Sequence, residues 1–473
     1  MRSRFITNDS ASRLILIFAG WGMDWRPFTT LTAEGYDIMV VWDYRDLTFN
    51  WKQVLTYDEV CLIAWSMGVF AASLTIHEID SRITKRIAVN GTLDPIHDSR
   101  GIPRAIYHGT INSLAPNTLR KFYRRMCSER QQFETFSANL PRRTVSELID
   151  ELHSIEDYTI FHTPQITTWD LAIISREDGI FPVENQCTAW RGLAQVIMAA
   201  GGHLPDFQAI IDTHLINKVR VSRSFKAGAD TYVAASSVQQ EIAHTLYSLF
   251  QRVYQSDQDN AGYSINGDIL EIGPGHGALT SLYSPHRGQG SMTLWDLVDM
   301  RPEGCPDDAI FHACDAEVAI RRTPSRSIAC IFSSSTIQWF NSPSSFIKEC
   351  ERVLMPDGYL VLSTFCANNI EEFTQASGVG LNLPSQRQWQ AMFSPAMTIY
   401  VCQASILTKT FDSPRDVLKH VRDTGVNALA HGPQATVLAR KVLTNYPLGS
   451  DSKYHLTYRP IFIIARRNDI NQQ

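Results

Sequence analysis

Three residues in the first half of the chain have the types and spacing of a nucleophile and its base. Ser66 lies in the segment 64–68, AWSMG, between an apolar, β-like run and the apolar start of a helix. Asp178 and His203 each follow a further apolar run, His203 in a glycine-rich loop. A serine hydroxyl needs a base to take its proton, and a carboxylate fixes the tautomer of that base. We therefore expect Ser66, Asp178 and His203 to meet as a catalytic triad.

The surroundings of Ser66 are typical of a nucleophile elbow, a tight strand-to-helix turn that exposes the serine Oγ. Small residues must flank such a serine, and Gly68 does so, whereas Ala64 stands where the first glycine is usual. The tetrahedral intermediate of acyl transfer also needs donors for its oxyanion. We expect these donors to be the backbone amides of Met67 and Trp21, since Trp21 lies between two glycines.

Each triad residue also has an ordinary structural interpretation. Ser66 and Asp178 could be turn residues, and His203 a surface histidine. The order Ser, Asp, His along the chain, however, is that of the α/β-hydrolases and differs from the other convergent triads. Because all three follow strands, they together favour a hydrolase.

The second half of the chain contains a glycine loop between a predicted strand and a helix. Its glycines, Gly273, Gly275 and Gly277, allow a tight turn and close approach of the backbone to a ligand. The spacing also satisfies the dinucleotide fingerprint. Asp296, at the end of the next strand, could accept hydrogen bonds from ribose hydroxyls, and Asp315-Ala316 end a third strand-like unit. These additions favour S-adenosylmethionine as the ligand and a class I methyltransferase.

Apolar runs of strand length alternate with helix-length segments in both halves, which predicts α/β folds with mostly parallel sheets. We expect an N-terminal α/β-hydrolase domain at 1–217 and a C-terminal class I, Rossmann-like methyltransferase domain at 218–473. The segment 218–223 reads as a short connection between them.

The strand pattern stops at about 101–165, where we expect a helical lid. Its first part, 101–150, contains eight basic and four acidic residues, with Arg124 and Arg125 in its densest cluster. This cluster is either an ordinary solvated helix face or a docking surface for an acidic carrier protein, whose phosphate and carboxylate groups suit arginine.

Composition limits the partners and the compartment. The chain has 473 residues and a formal net charge of -5, which gives no general attraction to nucleic acid. Its nine cysteines include no Cys-x-x-Cys pair, which argues against a zinc site and for a reducing compartment. No stretch reads as a signal peptide or a membrane span. We therefore expect a cytoplasmic protein without a metal or a membrane partner.

The first half resembles the small α/β-hydrolases that act as pimeloyl-[acyl-carrier-protein] methyl ester esterases in biotin synthesis. The resemblance covers most of 10–215 and rests on four features: the segment 18–24 (FAGWGMD), the elbow, the segment 89–92 (VNGT) and the Asp178 and His203 loops.

The second half resembles malonyl-[acyl-carrier-protein] O-methyltransferase across 222–466. The matching features are the residues and segments Ser224-Phe225, Tyr232, Gln239, Gln338-Trp339, 411–429 and 458–461. The resemblance implies that Tyr232 lies near donor and acceptor, although an aromatic contact of a lid is an equal interpretation. For the arginine that would hold the acceptor carboxylate, Arg415 and Arg422 are candidates only.

The two halves together predict a bifunctional enzyme. A free carboxylate is costly to bury in apolar chain-extension tunnels, so its methylation would let an acyl chain grow and its later hydrolysis would stop growth. The expected reactions are methylation of malonyl-acyl carrier protein and hydrolysis of pimeloyl-acyl carrier protein methyl ester. Two alternatives remain: a thioesterase–methyltransferase fusion of secondary metabolism, and a carrier-binding scaffold without catalysis.

Overall fold

The computed structural model describes residues 1–257, 264–302, 304–424 and 433–468, without the side chains of 229–235, 433 and 434. The chain divides into two compact units, Met1–Leu215 and Ile216–Gln473. The boundary that we predict after residue 217 lies beside this division. No helix in the described ranges is long and apolar enough to cross a membrane.

The first unit is built on a sheet of seven strands among its described residues, in the order β1-β3-β2-β4-β5-β6-β7. The strands are β1 (Arg2–Thr7), β2 (Arg13–Phe18), β3 (Asp37–Trp42), β4 (Glu59–Trp65), β5 (Ile83–Val89), β6 (Leu171–Ser175) and β7 (Gln195–Ala199). From β3 to β7 all pairs are parallel, and β1 joins the edge antiparallel. Every residue of β4 is buried, as expected for a central parallel strand covered on both faces.

Helices cover this sheet and roof its carboxyl edge. They are α1 (Met67–Thr75), α2 (Arg104–Ser113), α3 (Pro116–Met126), α4 (Arg130–Ala138), α5 (Val145–Phe161), α6 (Val183–Ala189) and α7 (Phe207–His214). Helices α2 to α5 lie between β5 and β6 in the chain, where we predict the lid.

A buried charge cluster fixes α5 to the sheet. Arg143, just before α5, donates to Glu151 Oε2 at 2.6 Å, and its guanidinium lies 3.1 Å from Asp43 Oδ1. The other oxygen of Glu151 accepts from the Tyr44 amide at 2.7 Å. Arg143 is one of the eight basic residues counted in 101–150, but with only 2% of its side chain exposed it adds no charge to the surface of the lid.

The second unit has a sheet of seven strands in its described part, in the order β10-β9-β8-β11-β12-β16-β13. Its strands are β8 (Ile269–Ile272), β9 (Met292–Asp296), β10 (Ile310–Ala313), β11 (Ile328–Ser334), β12 (Leu354–Phe365), β13 (Met397–Ala404) and β16 (Pro460–Arg467); β14 (Leu407–Phe411) and β15 (Tyr454–Tyr458) pair separately. The five strands from β10 to β12 are parallel, β16 pairs antiparallel with β12, and β13 pairs antiparallel with β16.

The helices of this unit are α8 (Lys218–Ala235), α9 (Ser237–Asp257), α10 (Thr280–Tyr283), α11 (Ala316–Arg322), α12 (Pro343–Val353), α13 (Glu371–Ser377), α14 (Gln386–Gln390), α15 (Pro414–Asp423) and α16 (Pro433–Asn445). Strand β8, which leads into the glycine loop, lies between β9 and β11. The strands that follow β8 in the chain are therefore placed on both of its sides. Ligands of open parallel sheets bind at such a switch point. The predicted α/β fold class is confirmed for both halves.

Replacing Arg143 with methionine tests the charge cluster around α5. The change leaves Glu151 buried without its cation, and burial already raises the pKa of this carboxyl. We expect the variant to be destabilised by about 3–5 kcal/mol. The midpoint of urea unfolding, followed by tryptophan fluorescence, measures this loss.

The matched control is Arg130→Met, since Arg130 pairs with Glu134 on the surface of α4 with 88% of its side chain exposed. We expect little change there because exposed pairs contribute little. Equal shifts in the two variants would contradict a structural role for the buried cluster.

Candidate active sites

Ser66 occupies a strained turn between β4 and α1. Its φ of 58° and ψ of -127° are unfavourable for a residue with a side chain. The turn is tightly packed, since a Cβ on Gly68 would lie 2.5 Å from the Phe18 carbonyl oxygen. Ala64 is not in the turn but within β4, beside Phe18 of β2 and Ala88 of β5. The methyl group that Ala64 has, and that the usual glycine lacks, is therefore accommodated by ordinary strand packing.

The structure brings Ser66, Asp178 and His203 together. His203 Nε2 lies 2.9 Å from Ser66 Oγ, and His203 Nδ1 lies 3.0 Å from both oxygens of Asp178. All three side chains are buried. The distances allow His203 to accept the serine proton at one nitrogen while its other nitrogen donates to the carboxylate.

Asp178 is held by three further donors. The amides of Ile180 and Phe181 donate to Oδ1, and Gln186 Nε2 donates to Oδ2 at 2.9 Å. Phe181 also stacks against the His203 ring, with 5.9 Å between ring centroids. The carboxylate and the imidazole are thus each held by contacts in addition to the one between them, and Phe181 contributes to both.

Asn90, directly after β5, fixes the loop that carries His203. Its Nδ2 donates to Ser175 Oγ and to the carbonyl oxygens of Gly202 and His203, and its Oδ1 accepts from the Ser175 amide at 2.8 Å. The sequence pattern included Asn90 only as part of the segment 89–92, without a role, and it did not single out Gln186. The one local signal was an asparagine at a strand end, a residue that tolerates the positive φ of 46° found here.

The predicted oxyanion donors belong to residues that line the Ser66 cavity. This cavity has a volume of about 30 Å³, and both Trp21 and Met67 contribute to its wall. Trp21 is anchored to the lid, because its Nε1 donates to the Leu148 carbonyl at 3.0 Å. Their backbone amides remain our prediction for the oxyanion hole.

The lid supplies an apolar roof over Ser66. Its contributing residues are Ile102, Ile106, Tyr107, Phe122, Met126 and Leu152. Arg125 of α3 lines the same cavity and is exposed to solvent, and Arg124 is exposed beside it. The wall around Ser66 is therefore mostly apolar, and α3 adds positive charge next to it.

In the second unit, the glycine loop after β8 lines a cavity of about 500 Å³, called here the glycine-loop cavity. Gly273, Gly275 and Gly277 all line it with positive φ. A Cβ on Gly273 would lie 2.1 Å from Thr336 Oγ1, whereas a Cβ on Gly275 would meet nothing within 4 Å. Glycine is thus required at the first position by packing, and at the second it leaves room for a ligand.

Acidic side chains at successive strand ends line this cavity. Asp296, at the end of β9, accepts from the amides of Gly275 and Val298, and burial raises its pKa. Glu271 of β8 accepts from Thr280 and Tyr283, and burial raises its pKa to about 7. Asp315 and Ala316 follow β10 and line the same cavity.

Lys218 is a cavity residue that sequence reasoning missed. The segment 218–223 is not a connection but the start of α8, and Lys218 is 2% exposed. Its ammonium lies 2.8 Å from Glu317 Oε2, 3.7 Å from Asp315 Oδ1 and 4.6 Å from the centre of the Phe340 ring. A lysine in a polar segment gave no sign of burial, because its acidic partners lie about a hundred residues further along.

Of the candidate acceptor-binding residues, the structure describes the side chains of the two arginines only. The side chain of Tyr232 lies outside the described residues. Arg415 is exposed, and Arg422 is 66% exposed beside Asp423. Neither arginine lines a cavity that adjoins the glycine loop. Within the described residues, no cluster of three or more His, Cys, Asp or Glu side chains could hold a metal ion.

Two family models match the chain, one in each half. "Pimeloyl-ACP methyl esterase BioG" matches residues 1–212, and "Methyltransferase domain" matches residues 238–413.

Relatives match the whole chain and its separate halves. A malonyl-[acyl-carrier protein] O-methyltransferase of Bacteroides fragilis is 33% identical over 96% of this chain and 92% of its own length. The enzyme of the same name in Haemophilus influenzae is 30% identical over 54% of this chain and 98% of its own length. The crystal structure of BioG from Haemophilus influenzae is 34% identical, covers 43% of this chain and 94% of its own, and has a TM-score of 0.40.

The methyltransferase of Bacteroides fragilis aligns with this chain over nearly its full length, and the esterase family model covers the unit that contains Ser66. The chain belongs to the malonyl-[acyl-carrier protein] O-methyltransferase family and is an enzyme in which a BioG-type methyl ester esterase domain precedes the methyltransferase domain.

Proposed function

We propose that this enzyme adds and later removes one methyl group in the synthesis of the biotin precursor. Its methyltransferase domain esterifies the free carboxyl of malonyl-acyl carrier protein, and its esterase domain hydrolyses the methyl ester of pimeloyl-acyl carrier protein. The observation that carries the proposal is the aligned Ser66–His203–Asp178 triad under an apolar lid, on one chain with the glycine-loop cavity. A cytoplasmic location, expected from the sequence, is part of the proposal.

In the esterase reaction, Ser66 Oγ attacks the ester carbonyl carbon while His203 Nε2 takes its proton. The amides of Met67 and Trp21 stabilise the oxyanion, and His203 then protonates the departing methoxide oxygen as methanol leaves. Water, deprotonated by His203, hydrolyses the acyl-enzyme. Asp178 keeps the imidazole in the required tautomer and stabilises its cation throughout.

The residues around the glycine loop fit S-adenosylmethionine. The open space at Gly275 admits a ligand against the backbone, Asp296 suits ribose hydroxyls, and Asp315 with Ala316 lies where adenine would follow along the sheet edge. This ligand supplies a methyl group already activated by a sulfonium. The protein therefore has to position an acceptor carboxylate in line with that methyl and exclude water, and no metal is required.

A basic face of α3 suits the carrier protein as a partner. Arg120, Lys121, Arg124 and Arg125 are exposed along this helix, and Arg125 also lines the Ser66 cavity. An acidic carrier held on this face would have its prosthetic arm close to the nucleophile. We propose Arg124 and Arg125 as its docking residues.

Two substitutions separate the reactions. Ser66→Ala removes the nucleophile, so we expect demethylation to fall by about four orders of magnitude or more while methylation is retained. Asp296→Ala removes the proposed ribose contacts, so we expect about a ten- to hundred-fold weaker affinity for S-adenosylmethionine with the esterase intact. Mass spectrometry of methyl malonyl- and methyl pimeloyl-carrier protein measures both activities. Release of free carrier thiol in place of methanol would identify a thioesterase and contradict the proposal.

Charge reversal tests the docking face. In Arg124→Glu/Arg125→Glu we expect kcat/KM for the carrier-bound ester to fall about tenfold or more at low salt, with a smaller effect at high salt. Hydrolysis of a small p-nitrophenyl ester should change far less. Arg191→Glu, at another exposed arginine of this unit, is the control. An unchanged kcat/KM on the carrier-bound ester at low salt would exclude this surface.

Asn90→Asp tests the support of His203. The new carboxylate would face the carbonyl oxygens of Gly202 and His203, so we expect the loop to shift and kcat to fall about a hundred-fold, with KM little changed. The exposed Asn139 gives the control Asn139→Asp. A wild-type kcat in a folded Asn90→Asp enzyme would show that the loop does not need this residue.

A further inference from the structure

A second cavity, of about 60 Å³, adjoins the glycine-loop cavity in the methyltransferase unit. The two cavities share four lining residues, Phe225, Gln239, Ser335 and Trp339. Away from this shared wall, most of the lining is apolar, including Phe365, Ile370, Phe373, Leu381 and Leu383. This lining suits a short, uncharged segment of an acyl arm next to the glycine-loop cavity.

The strand order indicates which end of the bound cofactor faces the shared wall. Asp315 follows β10, Asp296 ends β9, and the glycine loop follows β8, while Ser335 follows β11 on the other side of β8. With adenine at Asp315 and ribose at Asp296, the sulfonium end of the ligand would lie toward β11. Ser335, Gln239 and the second cavity lie on that side.

Two polar atoms in the shared wall have unused hydrogen-bonding capacity. Ser335 Oγ and Gln239 Oε1 are both buried, and neither has a hydrogen-bond partner among the described residues. Ser335 also has a φ of 54°, an unfavourable value for serine. The nearby Gln338, by contrast, donates to the Ser335 carbonyl and accepts from Thr364 Oγ1. Unsatisfied buried groups and local strain are often associated with ligand binding.

We propose that Ser335 and Gln239 form the binding site for the acceptor carboxylate, and that the second cavity holds the adjoining thioester arm. The proposal rests on the proposed methyl transfer. The Ser335 hydroxyl donates to one carboxylate oxygen. The Gln239 amide donates to the same oxygen through Nε2, which a half-turn of the amide group brings to the position of Oε1.

Neutral donors suit this reaction. Among the described residues that line the second cavity there is no Arg or Lys. A cation bound to both oxygens would draw electron density from the nucleophile, whereas two neutral donors orient it and leave one oxygen free to attack. That oxygen forms the bond to the methyl carbon as the carbon–sulfur bond breaks and its electron pair stays on sulfur. The acceptor is already ionised, so no proton has to move.

The experiment compares two carrier proteins, one bearing malonyl and one bearing acetyl, which lacks the carboxylate. Their dissociation constants are measured with full-length enzyme saturated with S-adenosylhomocysteine. We expect Ser335→Gly, which also relieves the positive φ, and Gln239→Glu each to reduce the preference for malonyl by about ten- to a hundred-fold. Circular dichroism shows that the variants are folded, and the affinity of each for S-adenosylhomocysteine is measured separately, so that an effect on this ligand is distinguished from an effect on the preference for malonyl. Gln390→Glu, at an exposed residue of α14, is the charge control.

The outcomes separate this proposal from the proposed function. If wild-type enzyme methylates malonyl-carrier protein and both variants keep its preference for malonyl, the carboxylate site is elsewhere and only this inference is wrong. If wild type does not methylate the carrier but the variants still lose the preference, the site stands and the proposed reaction falls. A wild type that shows no preference overturns the site.

Discussion

The parallel pairing of buried strands is the constraint on which both catalytic sites depend. Parallel strands end at one edge of a sheet, so side chains distant in the chain meet there. In the first unit, β4, β6 and β7 deliver Ser66, Asp178 and His203 to such an edge. In the second unit, the residues that follow β8, β9, β10 and β11 line one cavity in the order of the strands. The order of the strands therefore determines which residues can meet in each site.

Sequence patterns predicted the residues whose local setting shows their chemistry. Ser66 is flanked by small residues at the end of an apolar run, and the glycine loop and Asp296 likewise end predicted strands. The residues that were missed act through partners distant in the chain. Asn90 supports a loop 113 residues away, and Lys218 binds Glu317. Strand β12 begins at Leu354, but its register with β11 shifts before Tyr359, so Pro356 and Gly358 lie in an irregularity of the strand pairing.

Buried ion pairs support both units at a distance from the reacting atoms. The Arg143–Glu151 pair attaches the lid to the sheet, and the Lys218–Glu317 pair lies beside Asp315. Such pairs contribute little net stability, because desolvation offsets their attraction, but the loss of one partner is costly. Their effect is therefore to select one arrangement of neighbouring elements. The lid, which is otherwise a set of small helices, obtains a fixed position over Ser66 in this way.

The position of the lid in the chain also has a consequence for the evolution of the enzyme. All four of its helices lie between Val89 and Leu171, which end and begin adjacent, directly paired strands. Because β5 and β6 are parallel, the chain must cross from the carboxyl end of β5 to the start of β6, and any insertion that makes this crossover would preserve the strand order. Chain-length preference and carrier recognition can then diversify in this one segment. Such modularity lets one ester-cleaving scaffold be recruited to new acyl chains without rebuilding its chemistry.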